Sequence, residues 1–197
     1  MSIIQINSLL KKYNNNIILD NIDIILDNKY INLIIGSNGC GKSTLLKCIN
    51  KLVSYGGNIF VEGSLVYMPE TINLPDDIKV CEFIKLILEI KKCKENRLDD
   101  LINKFNLNVH LNKKISSLSF GTKQKVLLII SLIEDAEIYL FDEPLNGLDN
   151  VSIKVFLSEI ETLYNSNKIV IIVTHEEERI KLFNTKIIKI EDGKIYV

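Results

Sequence analysis

The chain lacks several features that would fix its class at a glance. It has no apolar run near the ~18 residues needed to cross a bilayer, and the stretch at residues 126–133 is broken by Ser131. A membrane channel formed by this chain alone is therefore excluded. The opening residues Met1-Ser2-Ile3-Ile4-Gln5 carry no basic segment ahead of an apolar one, so no secretory signal is read. Arginine is scarce: Arg97 and Arg179 are the only two among 24 basic residues, which leaves little for arginine clamps. Neither sign of charge dominates. With 25 acidic residues and a net charge of −1, no bulk attraction to nucleic acid is expected. The four cysteines (40, 48, 81, 93) contain no C-x-x-C pair, and His110 and His175 are not spaced as metal ligands. A reduced, cytosolic protein without structural zinc or disulfides is expected. Three prolines and nine glycines are few, and no linker, repeat or low-complexity segment divides the chain.

What the sequence does have is an ordinary globular composition, 47% hydrophobic and 25% charged. A domain of 197 residues buries roughly 70% of the surface of its unfolded chain, enough for a substantial core. The abundance of Ile, Asn and Lys reads as coding bias without functional weight. Residues 3–6, 17–26 and 30–35 read as strands, β-branched and separated by Asn/Asp/Lys clusters. A helical pattern follows from Ser43 to about Val53, and residues 77–105 form a second helix-rich block with Val80, Phe83, Ile84, Ile87 and Leu88 at helical spacing. Residues 137–141 and 168–173 read as short buried strands flanking another helix, which suits a parallel α/β sheet. Residues 186–197 alternate around Asp192-Gly193, a hairpin signal.

Three segments carry chemistry. Gly36-Ser37-Asn38-Gly39-Cys40-Gly41-Lys42-Ser43 matches the phosphate-loop pattern G-x-x-x-x-G-K-[ST], with a strand before it and a helix after. Glycines let backbone N–H groups turn inward on an anion, and the new helix, continuing through Thr44, offers its positive end. Lys42 reaches the terminal phosphates, and the Ser43 hydroxyl can hold Mg²⁺. Only the backbone N–H of Cys40 is needed there, and its thiol is incidental. This is a nucleoside triphosphate site. Next, Glu137-Ile138-Tyr139-Leu140-Phe141-Asp142-Glu143-Pro144 is an apolar strand ending in two carboxylates. Asp142 can join the Mg²⁺ shell and Glu143 can polarise an attacking water. Finally, Leu118-Ser119-Phe120-Gly121-Thr122-Lys123-Gln124-Lys125 leads into a helix over residues 126–133, with Ser119 as a natural N-cap. Such a helix start is a second anion site. A chain with one phosphate loop needs it only if two chains meet, each offering this segment to the other's nucleotide.

Taken together, these segments resemble the ATP-binding cassette (ABC) ATPases along essentially the whole chain. Residues 118–125 are similar to that family's LSGGQ signature, with Phe120 in place of its first glycine and Thr122 in place of its glutamine. In motif detail the chain is nearest to cassettes of ABC-2-type exporters. The resemblance implies an α/β fold: a P-loop NTPase cassette with a parallel core sheet, an N-terminal antiparallel β-subdomain and a helical insertion at about residues 71–135 of one 1–197 domain. It implies ATP and Mg²⁺ bound between two cassettes, as a homodimer or heterodimer, with Ser119, Gly121 and Asp149 reaching the partner's nucleotide.

The remaining family positions follow in turn. Val66-Tyr67-Met68-Pro69-Glu70 resembles the Q-loop, with Glu70 where most members have glutamine and still able to bind Mg²⁺ or its water. Leu145-Asn146-Gly147-Leu148-Asp149 resembles the D-loop. His175 resembles the H-loop histidine that meets the γ-phosphate and the attacking water, and Tyr13 the aromatic residue that stacks on adenine. The function implied is ATP hydrolysis by Glu143, His175 and Lys42, energising a separate transmembrane permease from the inner face of the cell membrane. The alternatives are an ABC ATPase uncoupled from any permease, or a nucleotide-gated regulator. The length is that of one cassette with no further regulatory domain expected.

Overall fold

The structure is a computed structural model describing residues 2–71, 74–93, 96–180, 182 and 184–197. It divides into two compact units: residues 1–70, 136–143 and 160–197 form the first, and residues 71–135 and 144–159 the second.

The first unit holds two sheets. Strands β1 (Ile3–Tyr13) and β2 (Asn16–Leu26) pair antiparallel, and β4 (Gly56–Glu62) joins the other side of β1, giving the order β2-β1-β4. Strand β1 runs seven residues past the predicted end at Ile6. Its pairing with β2 and β4 shifts register after Ile6 and Asn7, where Ser8 adopts φ 52°. This irregularity lets a strand continue through a sequence whose alternation has lapsed.

The second sheet has the order β5-β6-β7-β3-β8-β9, built from β3 (Ile31–Ile35), β5 (Leu65–Met68), β6 (Ile138–Asp142), β7 (Ile169–Thr174), β8 (Thr185–Glu191) and β9 (Lys194–Tyr196). All neighbours are parallel except β8 and β9, the hairpin expected around Asp192-Gly193; φ is 48° and 75° at those two residues, as a tight hairpin turn demands. Every residue of β6 and β7 is buried, consistent with parallel strands covered on both faces. Asn32, the polar member of β3, is buried, and its amide donates to the backbone carbonyls of Asp27, Tyr30 and Val170.

The register is what places the site. Ile35 pairs with Thr174 and Asp142 with Val173, so β3, β6 and β7 end level at one edge of the sheet. The loops that leave that edge carry Gly36, Glu143 and His175. Ligands of open parallel sheets bind at such carboxyl ends. Helix α1 (Lys42–Ile49) follows the first of these loops; it stops short of Val53 because Lys51 turns left-handed at φ 56°.

The second unit is helical: α2 (Val80–Lys91), α3 (Leu98–Lys104), α4 (Phe120–Ile133) and the beginning of α5 (Asn150–Asn165). Helix α4 packs against α2 and α3. It starts six residues before the expected Val126, because Ser119 caps it and the signature-like segment itself forms the first turn. Glu159, buried on α5, takes ion pairs from Arg97 and from Lys104 (3.0 Å) of the α3 region. Among the described residues no helix is long and apolar enough to cross a membrane.

Candidate functional site

The phosphate loop between β3 and α1 closes as its sequence suggests. Gly41 caps α1 at φ 109°, a backbone shape that L side chains avoid, and its carbonyl accepts from the Leu45 N–H at 2.9 Å. Lys42 is 5% exposed. Its ammonium donates to the carbonyls of Gly36 (2.8 Å) and Ser37 (3.1 Å) and lies 3.8 Å from Glu143 Oε1. The ammonium is thus folded back over its own loop.

Beside it, the Ser43 hydroxyl donates to Asp142 Oδ1 at 2.9 Å, and the Tyr67 hydroxyl donates to Asp142 Oδ2 at 3.3 Å. Asp142 is buried at the end of β6. Burial pushes its carboxyl pKa up, Glu70 and Glu143 add to that, and the two hydroxyls oppose it. Burial and the neighbouring Asp142 likewise push the Tyr67 phenol well above its ordinary value.

Glu143 follows directly and takes a left-handed backbone, φ 49°, costly for a non-glycine residue and often a mark of a working site. Its N–H donates to the Val173 carbonyl at 2.9 Å. Its Oε2 accepts from the His175 N–H (3.3 Å) and meets His175 Nδ1 at 2.9 Å. With Glu143 ionised, Nδ1 carries the hydrogen of that contact.

A cavity of about 280 Å³ gathers these groups, with Asn38, Gly39, Gly41, Lys42, Ser43 and Thr44 on the loop side and Glu70, Glu143 and His175 on the other. A second, of about 550 Å³, shares Asn38 and Gly39 and adds Ser37 and Cys40, Ile17 and Ile18 of β2, and the hairpin residues Glu191, Asp192 and Gly193. Tyr13 lines neither cavity. It ends β1 44% exposed, with the Lys11 ammonium 4.5 Å from its ring centroid. The sequence reading missed Ile17, Ile18 and Asp192 as cavity walls. The Asp192-Gly193 turn was legible, but nothing in it points to a nucleotide.

For Mg²⁺, the donors at Ser43 and Asp142 are all oxygen, the hard set that ion prefers. The 2.9 Å between Ser43 Oγ and Asp142 Oδ1 matches the separation of about 2.9 Å between adjacent ligands of an octahedral ion at ~2.1 Å. The residues fit the ion.

In the helical unit, Ser119 and Gly121 stand at the start of α4, and Asp149 stands at the start of α5. The Ser119 hydroxyl accepts from the Thr122 N–H (3.3 Å) and lies 2.8 Å from the Thr122 hydroxyl. A Cβ on Gly121 would fall 2.2 Å from the Gly147 carbonyl oxygen, so glycine is required for this approach. The Phe120 ring, 55% exposed, also lies over Gly147, where an added Cβ would meet it at 2.5 Å. Gln124 donates to the Pro144 carbonyl (3.4 Å), and the Lys125 ammonium meets Asp149 Oδ2 at 2.7 Å. Asp149 Oδ1 caps α5 through the Ser152 N–H at 2.8 Å. Lys125 and Ser152 hold its carboxyl well below the usual range, at about 2.

The family model described as ABC transporter matches residues 19–146. The chain belongs to the ABC transporter family. It is 31% identical over 196 residues to an uncharacterized ABC transporter ATP-binding protein of Methanocaldococcus jannaschii, covering 97% of this chain and 75% of that one. It is 33% identical over 188 residues to the zinc import ATP-binding protein ZnuC of Buchnera aphidicola, covering 92% and 77%. Among solved structures, the ATP-binding subunit of an ABC transporter superposes with a TM-score of 0.86 at 24% identity over 99% of this chain and 88% of that chain, a likeness of fold. The expected cassette fold, a largely parallel sheet with an antiparallel β-subdomain, is thus the one observed. As a family member the chain is an ABC transporter ATP-binding protein, and the phosphate loop, Asp142, Glu143 and His175 stand together on one edge of its sheet.

Proposed function

We propose that this chain hydrolyses ATP to energise a membrane transporter whose transmembrane part is a separate chain, acting from the cytoplasmic face as a pair of cassettes closed over two ATP. The reading rests on the convergence of Lys42, Glu143 and His175 on the cavity at the loop. A water activated by Glu143 forms the new O–P bond at the γ-phosphate while the bond to the ADP oxygen breaks, and Glu143 accepts the water's proton. His175 fixes the carboxylate's orientation through Oε2 and so keeps it aimed. Lys42 balances the negative charge that grows on the phosphoryl oxygens. Ser43 and Asp142, with Glu70 on the cavity wall, would hold Mg²⁺, which supplies further charge neutralisation when bound.

Within the helical segment at about 71–135, inserted in the nucleotide-binding core of a single 1–197 cassette, the block at residues 77–105 is the surface we assign to the permease. Ser119, Gly121 and Asp149 are assigned to the partner cassette's nucleotide, and Tyr13 to the adenine. Supporting the trans role, the Ser119 turn is already ordered by its own cap. The hydrogen-bonded contact between Glu143 and His175 favours hydrolysis over a purely nucleotide-gated regulator. Glu143→Gln tests the reading: turnover should drop by at least 10²-fold while ATP traps a dimer on gel filtration. Turnover near the wild-type rate would remove Glu143 as the base.

A further inference from the structure

Asp142 is held at both carboxylate oxygens by hydroxyls from two different elements, and no role was expected for one of the two, Tyr67. Ser43 belongs to the phosphate loop. Tyr67 lies on β5, where the parallel register sets it opposite Leu140 of β6, two residues before Asp142. Two positions along a strand return a side chain to the same face, so the long phenol reaches the carboxylate that follows its own partner. Its hydroxyl donates to Oδ2 at 3.3 Å while Ser43 donates to Oδ1 at 2.9 Å. The Tyr67 ring is half-buried against the core that includes Leu140 and Ile171, which restrains where the hydroxyl can point. A buried carboxylate with only one oxygen tied can rotate about its Cβ–Cγ bond; with both tied it cannot.

We propose that Tyr67 is a positioning residue that sets the orientation in which Asp142 presents its carboxylate to Mg²⁺. The inference rests on the assignment of Asp142 as the metal-holding carboxylate. Tyr67 touches neither nucleotide nor ion in this role. It acts through Asp142, so its removal shows in the metal dependence of nucleotide binding and leaves metal-free binding alone.

The test is Tyr67→Phe, which keeps the ring and deletes the hydroxyl, with Tyr67→Met as a second variant that fills the space without an aromatic ring. ATP affinity is measured by titration calorimetry in EDTA and across a Mg²⁺ series, in the Glu143→Gln background so that ATP persists. The expected result is unchanged affinity in EDTA, within twofold, and a three- to tenfold rise in the Mg²⁺ concentration giving half the full enhancement. This range is that of losing one hydrogen bond to a charged group, part of it recovered by water. If the parent protein itself gains no ATP affinity from Mg²⁺, the assignment of Asp142 fails. If the parent responds and both variants respond identically, the positioning role of Tyr67 is overturned while Asp142 stands. An equal loss of affinity in EDTA also overturns it, because the phenol then supports the whole loop.

Discussion

Gly121→Ala sets two physical effects against each other. Gly121 is the second residue of α4, where alanine is the better helix former by up to about 1 kcal/mol. Propensity alone therefore predicts stabilisation. The geometry predicts the reverse: the new Cβ would sit 2.2 Å from the Gly147 carbonyl oxygen, a backbone atom with no side-chain torsion to relieve it. Restoring ordinary contact requires the 144–149 loop or the helix start to move by about 1 Å, and overpacking of that kind costs about 1–3 kcal/mol. The net is a destabilisation of up to about 2 kcal/mol. For a chain of this size each kcal/mol lowers Tm by roughly 2–4 °C, giving a fall of up to about 8 °C by far-ultraviolet circular dichroism. Gly147→Ala serves as the control. Its Cβ meets the Phe120 ring at 2.5 Å, which can swing outward, so the cost is mainly the strain of a side chain at φ +72°, about 1 kcal/mol. Adding Phe120→Ala to Gly147→Ala should recover little, while nothing at position 120 rescues Gly121→Ala. A Tm for Gly121→Ala above wild type would refute the close approach of the signature turn to the loop.

Two further outcomes can be checked directly. Lys42→Ala removes both the anion's cation and the two hydrogen bonds that brace Gly36 and Ser37, so ATP affinity should fall at least tenfold by fluorescence titration; unchanged affinity would count against the phosphate-loop assignment. Asp149 has a folded pKa held down to about 2 from an ordinary 3.8, so its stabilising contribution is complete above about pH 4 and is lost as the pH falls towards 2. The carboxylate is half exposed, so solvent screening keeps the ion-pair part under about 1 kcal/mol. The Tm gap between wild type and Asp149→Asn should be present at pH 7 and close on acidification; a gap that widens towards pH 3 would contradict the pairing with Lys125.

Much of this arrangement was legible in the sequence because its signals are local. The glycine-rich loop is a contiguous pattern, the strand ending in Asp142-Glu143 is uniformly apolar, and Asp192-Gly193 is a turn defined by two residues. The full length of β1 was not legible, since Ser8, following the polar Asn7, breaks its alternation and only pairing with β2 and β4 carries it to Tyr13. Nor were β4 and β5 read as strands, although β5 supplies Tyr67. The contacts that finish the site join residues far apart in sequence. Tyr67 with Asp142 and Gly121 with Gly147 depend on register and backbone approach, for which a single sequence carries no signal.

The asparagines bring a different kind of consequence. Among the described residues, ten non-glycine positions take positive φ, and five of them are asparagine: 14, 21, 106, 167 and 184. Asparagine is the side chain that best tolerates that shape. These five asparagines thus furnish left-handed turns that a chain with only nine glycines would otherwise lack. For anyone redesigning this protein with a balanced codon table, these five are not spare surface positions. Exchanging them for Lys or Ser, as their exposure would invite, would tax the backbone at every bend.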